Sequence, residues 1–132
     1  LAFSNASLGA VHAMAHSLGG LLDLPHGECN ALLLDHVVNF NFPAAAVRYG
    51  KIAAAMGVDT QHIATEKLKK AILTKIHDLK KEVGIIKTLG QQGATRTDIP
   101  IPAQTAPKDP CMVTNPRLPT QRDIEAIYEE AF

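Results

Sequence analysis

The 132-residue chain lacks several features that would place it in a common class of protein. Its 13 basic and 13 acidic side chains cancel, so no excess of charge favours nucleic acid or an anionic membrane surface as a partner. No apolar run approaches the length of a transmembrane helix. The cysteines, Cys29 and Cys111, are too few for a disulfide scaffold, so we predict a reducing, cytoplasmic setting.

Nucleotide-binding signals are missing as well. The sequence has no G-x-G-x-x-G or other phosphate-binding glycine run, and no βαβ pattern that could carry one. The chain begins at Leu1 without an initiator methionine or a basic signal region. Because this start lies so close to the clearest motif of the sequence, we predict that the chain is part of a longer protein.

That motif is a group of histidines near the start of the chain. His12 and His16 are spaced i, i+4, which on a helix places both imidazoles on one face, about 5–6 Å apart at Cβ. A Gly19-Gly20 pair is predicted to end this helix, and Pro25 is suited to open the next one. His26 would then lie at a helix start and point back at the first pair.

Two interpretations of this histidine group follow from the residues alone. One is a metal site built from two helices and a turn, and the other is a set of packed, hydrogen-bonded side chains. The zinc-protease motif H-E-x-x-H is excluded, because Ala13 occupies the position of the general-base glutamate.

Apolar periodicity predicts an all-α helical bundle in a single domain, with 46% hydrophobic residues to form a core. The predicted helices cover about residues 3–18, 25–38 and 43–56, with a break at 39–42 and a C-cap at Gly57. A fourth carries the stripe Leu68, Ile72, Ile76, Leu79 and Val83, with lysines on a solvated face. Residues 84–99 are predicted to form a loop and 109–117 an extended segment. Asp98 could cap a short fifth helix, and Thr120 with Asp123 caps the last one.

Several stretches together resemble one family. They are Ala2-Phe3-Ser4-Asn5-Ala6, then Gly9-Ala10-Val11-His12-Ala13-Met14-Ala15-His16, Pro25-His26-Gly27 with Asn30-Ala31-Leu32-Leu33-Leu34, Arg48-Tyr49, Asp109-Pro110-Cys111, Thr114-Asn115-Pro116-Arg117, and Asp123 to Tyr128. This combination resembles the iron-containing (group III) alcohol dehydrogenases over essentially the whole chain. The resemblance implies the C-terminal portion of a dehydroquinate synthase-like α domain, at residues 1–132, without the N-terminal nucleotide-binding domain.

The same resemblance implies roles for individual residues. His12 and His26 match two of four ligands to Fe(II), or to Zn(II), and the other two ligands lie upstream of this sequence. His16 matches a histidine that is not a ligand but lies near the nicotinamide and substrate, where it could relay the alcohol proton. Phe3 and Cys111 match positions that line the substrate pocket. The implied reaction moves a hydride between a primary alcohol or diol and NAD or NADP, which the missing domain would mainly bind.

The sequence departs from the family pattern at Asp35, which replaces a usual proline, and at Pro102 and Pro107, which interrupt a usual helix. Two alternatives stay open. The first is a glycerol-dehydrogenase-like or dehydroquinate-synthase-like zinc enzyme, because Pro25-His26-Gly27-Glu28 contains their His-Gly-Glu, although Thr114-Asn115-Pro116-Arg117 argues against it.

The second alternative is a non-catalytic helical module that self-associates. In either case we expect the chain alone to be inactive. We also expect it to form a homo-oligomer, because the Ala-rich face of its first helix and the stripe from Leu68 to Val83 would be partly uncovered.

Overall fold

The computed structural model describes residues 1–132, except for the side chains of residues 2 and 3. Its α-helices are α1 (Ala2–Ala6), α2 (Ala10–Leu22), α3 (His26–Ala55), α4 (Thr65–Glu82), α5 (Pro100–Thr105) and α6 (Gln121–Glu130). Short 3₁₀ turns lie at Gly90–Gln92, Arg96–Asp98, Ala106–Lys108 and Pro110–Thr114. The described backbone contains no strand, so the all-α prediction is confirmed. Among the described residues, none of the helices is both long and apolar enough to cross a membrane.

Helix α2 begins later and ends later than predicted. The chain leaves the helical conformation between α1 and α2, where Ser7 has a φ of 57°, so one helix over residues 3–18 is wrong. The first amide of α2, that of Ala10, donates instead to the side-chain oxygen of Asn115 at 3.0 Å. A residue distant in sequence therefore caps this helix.

The glycine pair does not end α2, contrary to the prediction. The helix continues to Leu22, and Asp23 closes it in the left-handed conformation with its amide donating to the Gly19 carbonyl at 2.9 Å. A Cβ at Gly19 would lie 3.4 Å from the Leu24 carbonyl oxygen and 3.6 Å from the Cys29 sulfur. The chain that returns from α2 therefore passes Gly19 at ordinary van der Waals distance.

The predicted break between the second and third helices is also wrong. Residues 26–55 form the single helix α3, which is kinked at Ala45 (φ −137°, ψ 25°), two positions after Pro43. Pro43 removes one helical hydrogen bond and bends the helix, but it does not end it. The turn before it is held by tertiary contacts, since the Asn41 amide donates to the Asn115 side chain at 3.0 Å and Phe42 is buried in an apolar cluster with α4. The predicted cap is confirmed, because Gly57 follows α3 at a φ of 79°.

Apolar side chains form two clusters. The larger one joins α2, the first half of α3, α5 and α6, and it contains Ala10, Ala13, Met14 and Ala15 at 0% exposure. The Ala-rich face of α2 is therefore covered within this chain, which corrects the expectation that it would be open. The smaller cluster joins the second half of α3 to α4.

The predicted stripe of α4 is only partly buried. Ile72 and Ile76 pack in the smaller cluster, whereas Leu79 and Val83 are 52% and 62% exposed. The lysines of α4 are not all solvated either. Lys80 donates to a carboxylate oxygen of Asp35 at 2.8 Å, and both side chains are mostly buried. The charge that Asp35 introduces is therefore neutralised by a partner on the neighbouring helix.

The last third of the chain folds into short 3₁₀ turns and the two helices α5 and α6. Asp98 does not cap α5; it accepts the amide of Thr95 at 2.8 Å in the preceding 3₁₀ turn, and Pro100 opens α5 directly. Residues 110–114 form a 3₁₀ turn, so the extended conformation predicted there is wrong. The Thr120 capping box of α6 is confirmed. The buried Tyr128 hydroxyl then donates to the Met14 carbonyl at 2.8 Å and joins α6 to α2.

Candidate metal centre

Three histidine side chains meet at the corner between α2 and α3. His12 and His16 lie one turn apart on α2, and His26 is the first residue of α3. The ring centroids are 5.3 Å apart for His12 and His26, 4.9 Å for His16 and His26, and 6.2 Å for His12 and His16. The tight turn after Asp23 therefore brings together the three histidines that the spacing indicated.

The environment of His12 favours its neutral form. Partial burial lowers the pKa of His12, and the nearby imidazoles of His26 and His16 lower it further, although Asp109 acts in the opposite direction. A neutral imidazole has the lone pair that a metal ion needs. The donor chemistry of this corner therefore fits a divalent first-row metal.

One ring nitrogen of His26 is engaged by a neighbour. The side-chain amide nitrogen of Asn30 lies 2.9 Å from Nε2 of His26 and 2.9 Å from its carbonyl oxygen. Because an amide nitrogen can only donate, Nε2 accepts and Nδ1 carries the proton of the neutral ring. Coordination of a metal through Nε2 would replace this contact.

A second group of donors lies beside the histidines. Nδ1 of His16 is 2.7 Å from Oδ2 of Asp109, and the backbone amide of Cys111 donates to Oδ1 of the same carboxylate at 2.8 Å. A nitrogen, an oxygen and a sulfur atom of His16, Asp109 and Cys111 all lie within 4.8 Å of one another. Since both oxygens of Asp109 already accept hydrogen bonds, we interpret the group as a hydrogen-bonded unit rather than a second metal site.

The carboxyl of Asp109 is held in its ionised form. Burial acts to raise the pKa of Asp109, but the hydrogen bonds from the His16 ring and the Cys111 amide outweigh that effect and leave the pKa below its usual value. Asp109 was assigned no role from the sequence, although it is part of the Asp109-Pro110-Cys111 motif. The residue type offered no signal of its pairing, because its partner is 93 positions away.

The structure describes the side chain of only one of the two residues predicted to line the substrate pocket, Phe3 and Cys111. The side chain of Phe3 lies outside the described part of the chain. Cys111 is half-buried beside Asp109 and thus lies close to the histidine corner. Burial, together with a hydrogen bond to Asp109, raises the pKa of its thiol, which stays protonated at neutral pH. The other cysteine, Cys29, is fully buried.

One open groove lies beside these residues, and a wider one lies elsewhere on the surface. One of about 500 Å³ borders His12 and is lined mainly by apolar side chains, with Asn30, Asn41 and Asn115 at its polar positions. A wider one of about 710 Å³ lies between α3 and α4 and is bordered by His36 and His77, away from the histidine corner. Only the first groove is adjacent to the candidate metal centre.

Comparison with known proteins places this chain in a family. The backbone superposes on a crystal structure titled 1,3-propanediol oxidoreductase with a TM-score of 0.95 and 41% identity, covering 99% of this chain and 34% of that one. Residues 1–132 also match the profile described as "Fe-containing alcohol dehydrogenase family, C-terminal". The chain therefore belongs to the iron-containing alcohol dehydrogenase family.

Curated relatives match the chain along its whole length. The 1,3-propanediol dehydrogenase of Citrobacter freundii is 40% identical over 132 residues, which are all of this chain and 34% of that protein. The NAD-dependent methanol dehydrogenase of Bacillus methanolicus is 33% identical over 132 residues, or 35% of its length. The chain thus spans about a third of the length of these relatives.

Proposed function

We propose that this chain is the C-terminal, metal-holding part of a dehydrogenase that moves a hydride between a primary alcohol or diol and a nicotinamide dinucleotide. The observation that carries the proposal is the meeting of His12, His16 and His26 at one corner, in a chain that matches the family from end to end. The substrate class is supported by the names of relatives such as 1,3-propanediol dehydrogenase.

In this proposal His12 and His26 are two ligands of the metal, which is Fe(II) or, as an alternative, Zn(II). Their rings are 5.3 Å apart, and the neutral state of His12 suits coordination. The remaining ligands come from residues outside 1–132, because a catalytic site normally has at least three protein ligands. When bound, the metal would supply Lewis acidity at the substrate oxygen and the nicotinamide would supply the hydride acceptor.

His16 takes the hydroxyl proton of the alcohol in this proposal. Its Nδ1 is occupied by Asp109, so Nε2 is the nitrogen that can exchange a proton. Cys111, with a protonated thiol, and Phe3 would border the substrate beside it.

The dinucleotide is bound mainly by a nucleotide-binding domain outside 1–132. NAD is favoured over NADP by the name of the methanol dehydrogenase relative. Self-association of the protein is supported by the exposed apolar side chains of Leu79, Val83 and Ile86 at the end of α4.

Substitution of the two proposed ligands tests the metal site. In the dehydrogenase proposed here, His12→Ala and His26→Ala should each remove the bound metal, as measured by elemental analysis, and abolish turnover of 1,3-propanediol. His16→Ala should keep the metal and lower kcat. His77→Ala is the matched control, because His77 is an exposed residue of α4 and lies outside the corner. Full metal content in both ligand variants would reject the assignment.

A further inference from the structure

The ring of His16, whose side chain is 43% exposed, has three polar or aromatic neighbours. Its face stacks on His26 with an interplanar angle of 19°, and His12 meets it edge-on at 70°. Its edge, at Nδ1, meets the carboxylate of Asp109 at 2.7 Å. Among these contacts, only the one with Asp109 specifies which ring nitrogen carries the proton.

The Asp109 carboxylate is held in place by its own turn. Asp109 precedes the 3₁₀ turn Pro110–Thr114 in an extended conformation (φ −70°, ψ 132°), and its Oδ1 accepts the amide of Cys111 at 2.8 Å. Its side chain is only 17% exposed. The turn therefore presents Oδ2 to His16 in a fixed position, without help from the imidazole.

An ionised carboxylate can only accept hydrogen bonds, so Nδ1 of His16 has to donate. A neutral histidine in this position is then the Nδ1–H tautomer, whereas an unconstrained side chain prefers the Nε2–H form. The lone pair lies on Nε2, which is the nitrogen that receives a proton in the reaction described above.

We propose that Asp109 is a positioning residue that fixes His16 as the Nδ1–H tautomer and thereby leaves Nε2 free to accept the hydroxyl proton. The structural part of this inference concerns the chain itself, and its consequence for turnover rests on the proposed function. Asp109 acts through His16 and holds no metal.

Substitution by asparagine provides a sharp test, because it preserves the shape of the side chain. The amide oxygen of Asp109→Asn can keep the bond from the Cys111 amide, and its NH₂ group then donates to Nδ1 of His16. This variant should therefore reverse the tautomer without disrupting the turn. Two-bond ¹H–¹⁵N correlation spectra of the ¹⁵N-histidine-labelled chain at about pH 9, where histidine is neutral, report the tautomer directly.

The wild-type chain should show His16 protonated at Nδ1, and Asp109→Asn should show it protonated at Nε2. Asp98→Asn is the matched control, because Asp98 also accepts hydrogen bonds in a 3₁₀ turn but contacts Thr95 rather than a histidine. It should leave the His16 signals unchanged. An Nε2–H tautomer in the wild-type chain, or the same tautomer in wild type and Asp109→Asn, would overturn the proposal.

A kinetic measurement in the dehydrogenase separates this inference from the metal assignment. Asp109→Asn should lower kcat by about 100-fold, the lower range of general-base effects, while metal content and KM for the alcohol stay unchanged. Asp109→Glu should recover part of the loss. A reversed tautomer with unchanged kcat would refute the positioning role and leave His12 and His26 as ligands. Loss of metal in Asp109→Asn would refute it as well.

Discussion

Two regions of this molecule are built in different ways. The region around the histidine corner, made of α2, residues 26–30 and residues 109–115, is held together by side-chain hydrogen bonds between residues more than 90 positions apart. The lysine hairpin, defined as residues 38–83, is held by apolar contacts between α3 and α4 and leaves Leu79 and Val83 exposed. The candidate chemistry thus lies where long-range polar contacts converge, because imidazoles must be held at fixed distances to act together.

The comparison predicts that removal of a large apolar side chain lowers the free energy of unfolding by different amounts in the two regions. Met14→Ala in the histidine corner should lower the free energy of unfolding by about 2–5 kcal/mol, because Met14 is fully buried and a cavity remains. Leu79→Ala in the lysine hairpin should change it by less than about 0.5 kcal/mol, since Leu79 is 52% exposed. Urea denaturation followed by circular dichroism measures both. Similar values for the two variants would abolish the distinction between the regions.

A smaller loss of stability is expected when the buried hydrogen bonds of Asn115 are removed. Asn115 is buried, exchanges hydrogen bonds of 3.0 and 2.8 Å with Asn41, and accepts the Ala10 amide. Asn115→Ala should cost about 1–3 kcal/mol, because it leaves buried donors and acceptors without partners. Gln104→Ala, an exposed residue of α5, serves as the control and should be nearly neutral. A neutral Asn115→Ala would show that water replaces the link.

The smallest effect concerns pH. The pKa of His12 is lowered in the folded chain from its ordinary value of 6.5. As the pH falls through about 6.5, His12 becomes protonated in the unfolded chain but stays neutral in the folded one. The free energy of unfolding is therefore at its full value above this pH and declines below it. His12→Gln should therefore lose less stability than wild type between about pH 7 and pH 5 in the presence of a chelator, whereas His62→Gln should follow wild type. A steeper decline in His12→Gln would contradict the direction of the shift.

Local signals in the sequence predicted the features that depend on near neighbours. The all-α fold, the capping box at Thr120 and the approach of His26 to His12 and His16 follow from spacing and turn residues, and the structure confirms each of them. The roles of those histidines as ligands and proton carrier stay predictions.

Features that depend on distant residues were not predicted. Helix α2 starts at Ala10 because Asn115, 105 positions later, caps it. Helix α3 passes through Pro43 because Asn41 and Phe42 are fixed by tertiary contacts. The pairing of Asp109 with His16 spans 93 positions. Such contacts leave no periodic pattern in the sequence from which they could be predicted.

The Asn115 side chain also determines which side chains of α2 face α3. The side-chain oxygen of Asn115 accepts a hydrogen bond from the Ala10 amide, and it would lie 3.0 Å from a Cβ at Gly9. These two contacts specify which residue of the chain is the first in the helix. Each residue of an α-helix turns its side chain by about 100°, because there are about 3.6 residues per turn. A slip of one residue at this contact would rotate His12 and His16 away from His26 and would leave a sound helix with no histidine corner.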